Sequence, residues 1–93
     1  MIFSPDSLKR KVHFIDEELV SIRRHLHTRP ELSFHEEKTA EYLSGILVEW
    51  SIPHTKNIAG NGIVGVLYGQ NTKKKCIALR ADIDALPIIE KND

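Results

Sequence analysis

Six apolar residues, Leu8, Val12, Ile15, Leu19, Ile22 and Leu26, recur at spacings of 4, 3, 4, 3 and 4. That period places them on one face of a helix and commits the opening of the chain to a single amphipathic rod. Lys9, Arg10, Asp16, Glu17, Arg23 and Arg24 fall mostly off the stripe. Ser4-Pro5 supplies a serine cap and a proline at the first helical position. Pro30 sets the end, because the residue before a proline avoids helical angles. The spacing predicts one continuous helix from Pro5 to just before Pro30. A coiled-coil seam has the same spacing, but three heptad turns are few for one, and a core-facing helix of a globular unit is the reading.

A second helix is expected after Ser33-Phe34-His35-Glu36, which has the form of a capping box. Ala40, Leu43, Leu47 and Trp50 form its stripe, widened by Tyr42 and Ile46, and Ser51-Ile52-Pro53 closes it. Ser51 stands where a glycine would relax the left-handed cap. Beyond a short strand near His54, Ile63 to Leu67 reads as strand, with Gly60, Gly62 and Gly69 as punctuation. Gln70 to Lys74 reads as a polar turn and Cys76-Ile77-Ala78-Leu79 as a strand covered on both faces, so a hairpin between these two runs is expected. The fold class is α/β: two amphipathic helices followed by a β-hairpin. Such an arrangement covers one face of a sheet and leaves backbone edges open, which predicts either a larger α/β domain or pairing with another copy.

The 93 residues carry zero formal net charge, so no global field draws nucleic acid or an anionic membrane. Lys9-Arg10-Lys11 and Lys73-Lys74-Lys75 are short and read as solvated surface. No apolar stretch has bilayer length, and no long apolar core follows the first residues as in a signal peptide. The single cysteine, Cys76, excludes an internal disulfide framework and reads as a buried inert thiol in a reducing compartment. A cytoplasmic protein is expected.

Asp82 and Asp84 end the last apolar run, and Pro87 turns the chain. On an extended backbone the two carboxylates share a face, so both could reach one cation or one proton-transfer partner, with Glu90 as a third member. The bland alternative has one aspartate capping a turn and the other solvated. His25 and His27 lie two apart on a helix and project in roughly opposite directions, so they do not chelate together. His13, His35 and His54 have no partner at metal-ligand spacing. Of the five, His27 is the candidate for a role, beside Thr28-Arg29-Pro30-Glu31 at the helix end. Gly60-Asn61-Gly62 lacks the lysine and helix start of a phosphate loop and reads as a turn.

Two longer motifs carry more. Arg23-Arg24-His25-Leu26-His27-Thr28-Arg29-Pro30-Glu31-Leu32-Ser33-Phe34, with Glu36 or Glu37 and Thr39 after it, is one. Ala78-Leu79-Arg80-Ala81-Asp82-Ile83-Asp84-Ala85-Leu86-Pro87-Ile88, followed by Glu90, is the other. Together, from about Leu19 onward, they resemble the amidohydrolase branch of the metallopeptidases related to aminoacylase and carboxypeptidase. These are the N-acyl-amino-acid, hippurate and indole-acetyl-amino-acid hydrolases. The resemblance implies an α/β catalytic domain interrupted by a smaller lid domain that often dimerises. It also implies two divalent ions (zinc, manganese or nickel) that activate water against an amide carbonyl, with a glutamate taking the proton.

Residues 1–93 would be the N-terminal portion of that catalytic domain. The wider family has His-x-Asp where this chain has Arg80-Ala81-Asp82. Asp82 therefore matches the aspartate that orients a metal ligand, while Arg80 cannot be a ligand. The branch takes its ligands from a later cysteine-glycine-histidine-aspartate motif, paired glutamates and further histidines, none of which these residues contain. Cys76 precedes Asp82 and is not that cysteine. Asn61 stands in a slot usually held by threonine, and Ser51 in one usually held by glycine.

Two expectations follow. In the first, the chain is part of an enzyme acting on small N-acyl amino acids; alone it is inactive, holds no metal and carries Asp82 as its one site residue. In the second, it is a binding or assembly module that pairs through its open sheet edge. Neither involves nucleic acid or a membrane.

Overall fold

The computed structural model describes residues 4–70 and 75–88. The chain divides into two compact units, one running to Arg29 and the other starting at Pro30. The first unit holds two helices, α1 (Pro5–Phe14) and α2 (Asp16–Thr28). Ser4 caps α1 as expected: its hydroxyl oxygen accepts the Ser7 amide at 3.1 Å, with Pro5 next in line.

The expected single rod is instead broken at Ile15, whose φ of −98° and ψ of 6° are not helical. The Ile15 amide donates to the Val12 carbonyl three residues back, and the four-residue ladder resumes when Leu19 donates to Ile15. The charges explain the break. Lys11 and His13 sit in the last turn of α1, whereas Asp16, Glu17 and Glu18 fill the first turn of α2. Each helix is thus matched to its own dipole, basic at its carboxyl end and acidic at its amino end. The apolar period spans the break because only one residue departs from the helix.

The second unit holds α3 (Glu37–Glu49) and a two-stranded antiparallel sheet of β1 (His54–Ile58) and β2 (Gly62–Gly65). The stop of α3 is a complete Schellman motif. The Ile52 amide donates to the Leu47 carbonyl at 2.8 Å and the Ser51 amide to the Val48 carbonyl at 3.0 Å. Ser51 sits in the left-handed region at φ 57°, the strained position that the missing glycine implies.

Its start differs from the expected capping box. Glu36 occupies the cap position, no side chain of the helix returns to it, and the Ser33 hydroxyl is engaged elsewhere. The face of α3 turned inward carries Thr39, Ala40 and Ser44, all buried. Leu47 and Ile52 come to Gly65, where an added Cβ would stand 3.5 Å from Ile52 and 3.9 Å from Leu47.

The hairpin is displaced one strand toward the amino terminus. β2 pairs with β1, in the register His54 to Gly65, Thr55 to Val64 and Ile58 to Gly62. A further bond from the Val66 amide to the Pro53 carbonyl extends the pairing. The register gains one residue on β1 between Thr55 and Ile58, a bulge that includes Asn57 at φ 61°. Ala59-Gly60-Asn61 makes the turn that the glycines announced, with Gly60 at φ 103°. Gly62 is required for a different reason: a Cβ there would lie 2.5 Å from the Ile58 carbonyl oxygen.

Cys76 to Leu79, expected as a covered strand, carries no regular structure, and Cys76 is exposed rather than buried. Ile77 is 88% and Leu79 96% exposed. The apolar composition favours a strand, but no neighbouring strand lies beside it among the described residues, so none forms. Of the expected turn at Gln70 to Lys74, residues 71–74 lie outside the described residues, as does Glu90. Ala40 is the single buried apolar residue among those described, and Leu43, Ile46, Leu47, Ile52 and Ile63 are half-buried in the second unit. No helix among the described residues is long and apolar enough to cross a membrane.

Candidate functional site

The loop from Pro30 to Glu36 holds together the second unit's helix, its hairpin turn and the segment that carries Asp82. Glu31 reaches forward with its side chain: Oε1 accepts the Thr39 amide and the Thr39 hydroxyl, both at 2.6 Å. Thr39 is the third residue of α3, so this carboxylate, from well outside the helix, takes the part of the capping side chain. The Thr39 hydroxyl is the largest influence holding the Glu31 carboxyl below its usual value. Partial burial opposes it, while the amides of Thr39 and Lys38 and the Lys38 charge reinforce it. The Glu31 backbone carbonyl faces the other way and accepts the Ala85 amide at 2.8 Å.

Phe34 adopts φ 67°, and its carbonyl accepts the Asn61 side-chain amide at 3.3 Å. Asn61, which departs from the resembling family's threonine, thereby ties the hairpin turn to the loop. Ser33 completes the set. Its hydroxyl donates to Asp84 Oδ2 at 2.6 Å, across 51 residues of sequence.

The two aspartates singled out by spacing are therefore engaged by different partners. Asp84 is held by Ser33, whereas Asp82 pairs with Arg80 at 3.3 Å. Arg80 is 91% and Asp82 72% exposed, so this ion pair adds little stability and leaves the Asp82 carboxylate open to solvent. Among the described residues, no three histidine, cysteine, aspartate or glutamate side chains form a set that could hold a metal ion. Glu36 Oε1 is buried with no hydrogen-bond partner among the described residues.

His54 occupies a second small polar cluster. Its Nδ1 lies 2.9 Å from the Ile52 carbonyl and its Nε2 2.8 Å from Ser44 Oγ. A carbonyl only accepts, so Nδ1 carries a proton and, in the neutral ring, Nε2 accepts from the serine. The pair sits between α3 and β1 and joins helix to sheet. His25 and His27 lie in the last turn of α2, where His25 contributes its carbonyl to the Thr28 hydroxyl at 2.8 Å.

No family model matches the chain, and no solved structure matches it. Curated relatives do. A Bacillus subtilis (strain 168) protein, YhaA, named as an amidohydrolase, is 44% identical over 77 residues, which is 83% of this chain and 19% of that protein. The N-acyl-L-amino acid amidohydrolase of Geobacillus stearothermophilus is 38% identical over 87 residues, 94% of this chain and 23% of the relative. Over most of its length the chain is a relative of proteins named as amidohydrolases. A Synechocystis protein named as a hydrolase agrees, at 42% identity over 89% of the chain. The chain spans about a fifth of the length of the curated relatives it matches.

The α/β class holds for it, with three helices and a two-stranded antiparallel sheet. Sequence reasoning placed Asp82 and Asp84 as a pair but missed Ser33 and Glu31. Ser33 was occupied by a local capping pattern, and a contact across 51 residues leaves no periodic trace.

Proposed function

We propose that this chain contributes the Asp82 side of the active site in a metal-dependent amidohydrolase acting on N-acyl amino acids. The carrying observation is 38% identity, over 94% of the chain, to a relative named N-acyl-L-amino acid amidohydrolase. The Arg80-Ala81-Asp82 motif supports the orienting role for Asp82, whose carboxylate is exposed and, among the described residues, is paired with a solvated arginine. The described residues by themselves do not fit a complete metal centre, so the zinc, manganese or nickel of this reading would depend on ligands from other sequence. The contribution of this chain is to hold an acceptor at a fixed place beside such ligands.

The test is hydrolysis of N-acetyl amino acids and hippurate by the protein expressed from its complete reading frame, before and after chelation. Amine release that vanishes with chelator and returns with zinc, manganese or nickel is expected. Release that survives exhaustive chelation would sink the metal-dependent reading, and no release from any of these amides would sink the substrate class.

A second reading has one observation in its favour. Ile58 on β1 and Val64 on β2 are exposed, which suits a module that pairs through its sheet edge with a second copy or with the remainder of a larger domain.

A further inference from the structure

We propose that Ser33, acting through Asp84, is a positioning residue that sets where the Asp82 carboxylate stands. The segment from Cys76 to Ile88 has no strand or helix of its own. Among the described residues, two hydrogen bonds tie it to the rest of its unit: the Ala85 amide to the Glu31 carbonyl at 2.8 Å, and the Ser33 hydroxyl to Asp84 Oδ2 at 2.6 Å. The first holds the chain at Ala85 by its backbone, and the second, one residue earlier, holds it by the Asp84 side chain.

The donor is itself held from two directions. Glu31 is anchored to the first turn of α3 by both donors of Thr39, and Phe34 is anchored to the hairpin turn by Asn61. The φ of 67° places Phe34 in the left-handed region, which a residue with a Cβ rarely adopts. Such a conformation persists where the surroundings over-determine it. The order of α3 and the hairpin is thus transmitted through Ser33 to Asp84, and over the one intervening residue, Ile83, to Asp82. The pair is charge-assisted and short, the strong kind of hydrogen bond.

The importance of Asp82 for turnover rests on the amidohydrolase reading; the positional coupling does not. The experiment has an arm for each. In the first, amide resonances are assigned by heteronuclear NMR in the chain as it stands, in Ser33→Ala and in Ser33→Thr. The alanine variant is expected to move the amides of Ala81 to Leu86, and the threonine variant, which keeps the hydroxyl, to return them toward their original positions. Resonances in that segment that stay fixed in Ser33→Ala overturn the proposal.

In the second arm, the protein from its complete reading frame is assayed on N-acetyl amino acids. Ser33→Ala is expected to lower kcat about tenfold with KM within about twofold, and Ser33→Thr to restore it, since misplacing a site group by a fraction of an ångström costs rate rather than binding. An active protein whose kcat ignores Ser33→Ala also overturns it. If the unsubstituted protein releases no amine, the amidohydrolase reading fails, and the resonances alone decide the positioning of Asp82.

Discussion

Replacing Glu31 by alanine should loosen the amino end of α3. The carboxylate accepts two donors from Thr39 at 2.6 Å, and Thr39 is buried, so its hydroxyl would be left without that partner. Hydrogen bonds to charged groups contribute roughly 1.5–3 kcal/mol each, and loss of a helix cap costs roughly 0.5–2 kcal/mol. Because the group is half exposed and the two bonds share one oxygen, a combined loss of about 2 kcal/mol is expected, equivalent to about a thirtyfold shift in the local opening equilibrium. Amide hydrogen exchange at Thr39 and the next turn reads this directly, with helicity at 222 nm during urea unfolding as the global measure.

Glu31→Gln keeps an oxygen acceptor but not the charge, so it should lose about half as much. The pH dependence has a definite sign. The Glu31 carboxyl titrates below its ordinary value of 4.5 in the folded chain, so the unfolded chain binds more protons just below that pH. Its stabilisation is therefore fully present above pH 4.5 and is lost as the pH falls through the lower folded value. Glu31→Gln should abolish that component of the acid loss. Unchanged exchange at Thr39 in Glu31→Ala, or an identical acid slope in Glu31→Gln, would refute the capping role.

Ser51→Gly should raise stability by about 1 kcal/mol, seen as a higher urea midpoint, because Ser51 holds φ 57° in a Schellman motif where glycine carries no Cβ penalty. Gly62→Ala should cost about 2 kcal/mol and open the hairpin first, with exchange at Val64 and Val66 rising, since the new Cβ would meet the Ile58 carbonyl oxygen at 2.5 Å. Exposed Ile77 and Leu79 predict concentration-dependent association in sedimentation velocity, weakened by Leu79→Lys; a monomer at high concentration would remove the edge-pairing module.

The helices were legible because their period is local. Spacing located α3 to within a few residues and found the cap at Ser4. The break at Ile15 was written in the charges, basic residues giving way to Asp16-Glu17-Glu18, but an unbroken apolar stripe outweighed them. The hairpin was misplaced for a related reason. Apolar content marks Cys76 to Leu79 as strand-forming, yet a strand exists only with a neighbour, while the polar His54-Thr55-Lys56-Asn57 run forms one because Gly62 to Gly65 lies beside it. Ser33 and Glu31 were illegible in another sense. The one had a plausible nearby partner and chose a distant one, and the other caps a helix that it does not belong to.

The Ser44–His54 pair bears on how the histidines differ as chemical targets. Acylating reagents such as diethyl pyrocarbonate attack the unprotonated ring nitrogen. In neutral His54 that nitrogen is Nε2, already occupied by the Ser44 hydroxyl, while Nδ1 keeps its proton on the Ile52 carbonyl. His13 and His35 occupy exposed positions. Labelling followed by peptide mapping should find His54 modified after both of them, and Ser44→Ala should bring it forward; equal rates at the three rings would mean the serine shields nothing. The ring that joins helix to sheet would then also report, by its slowness to react, that the two are still joined.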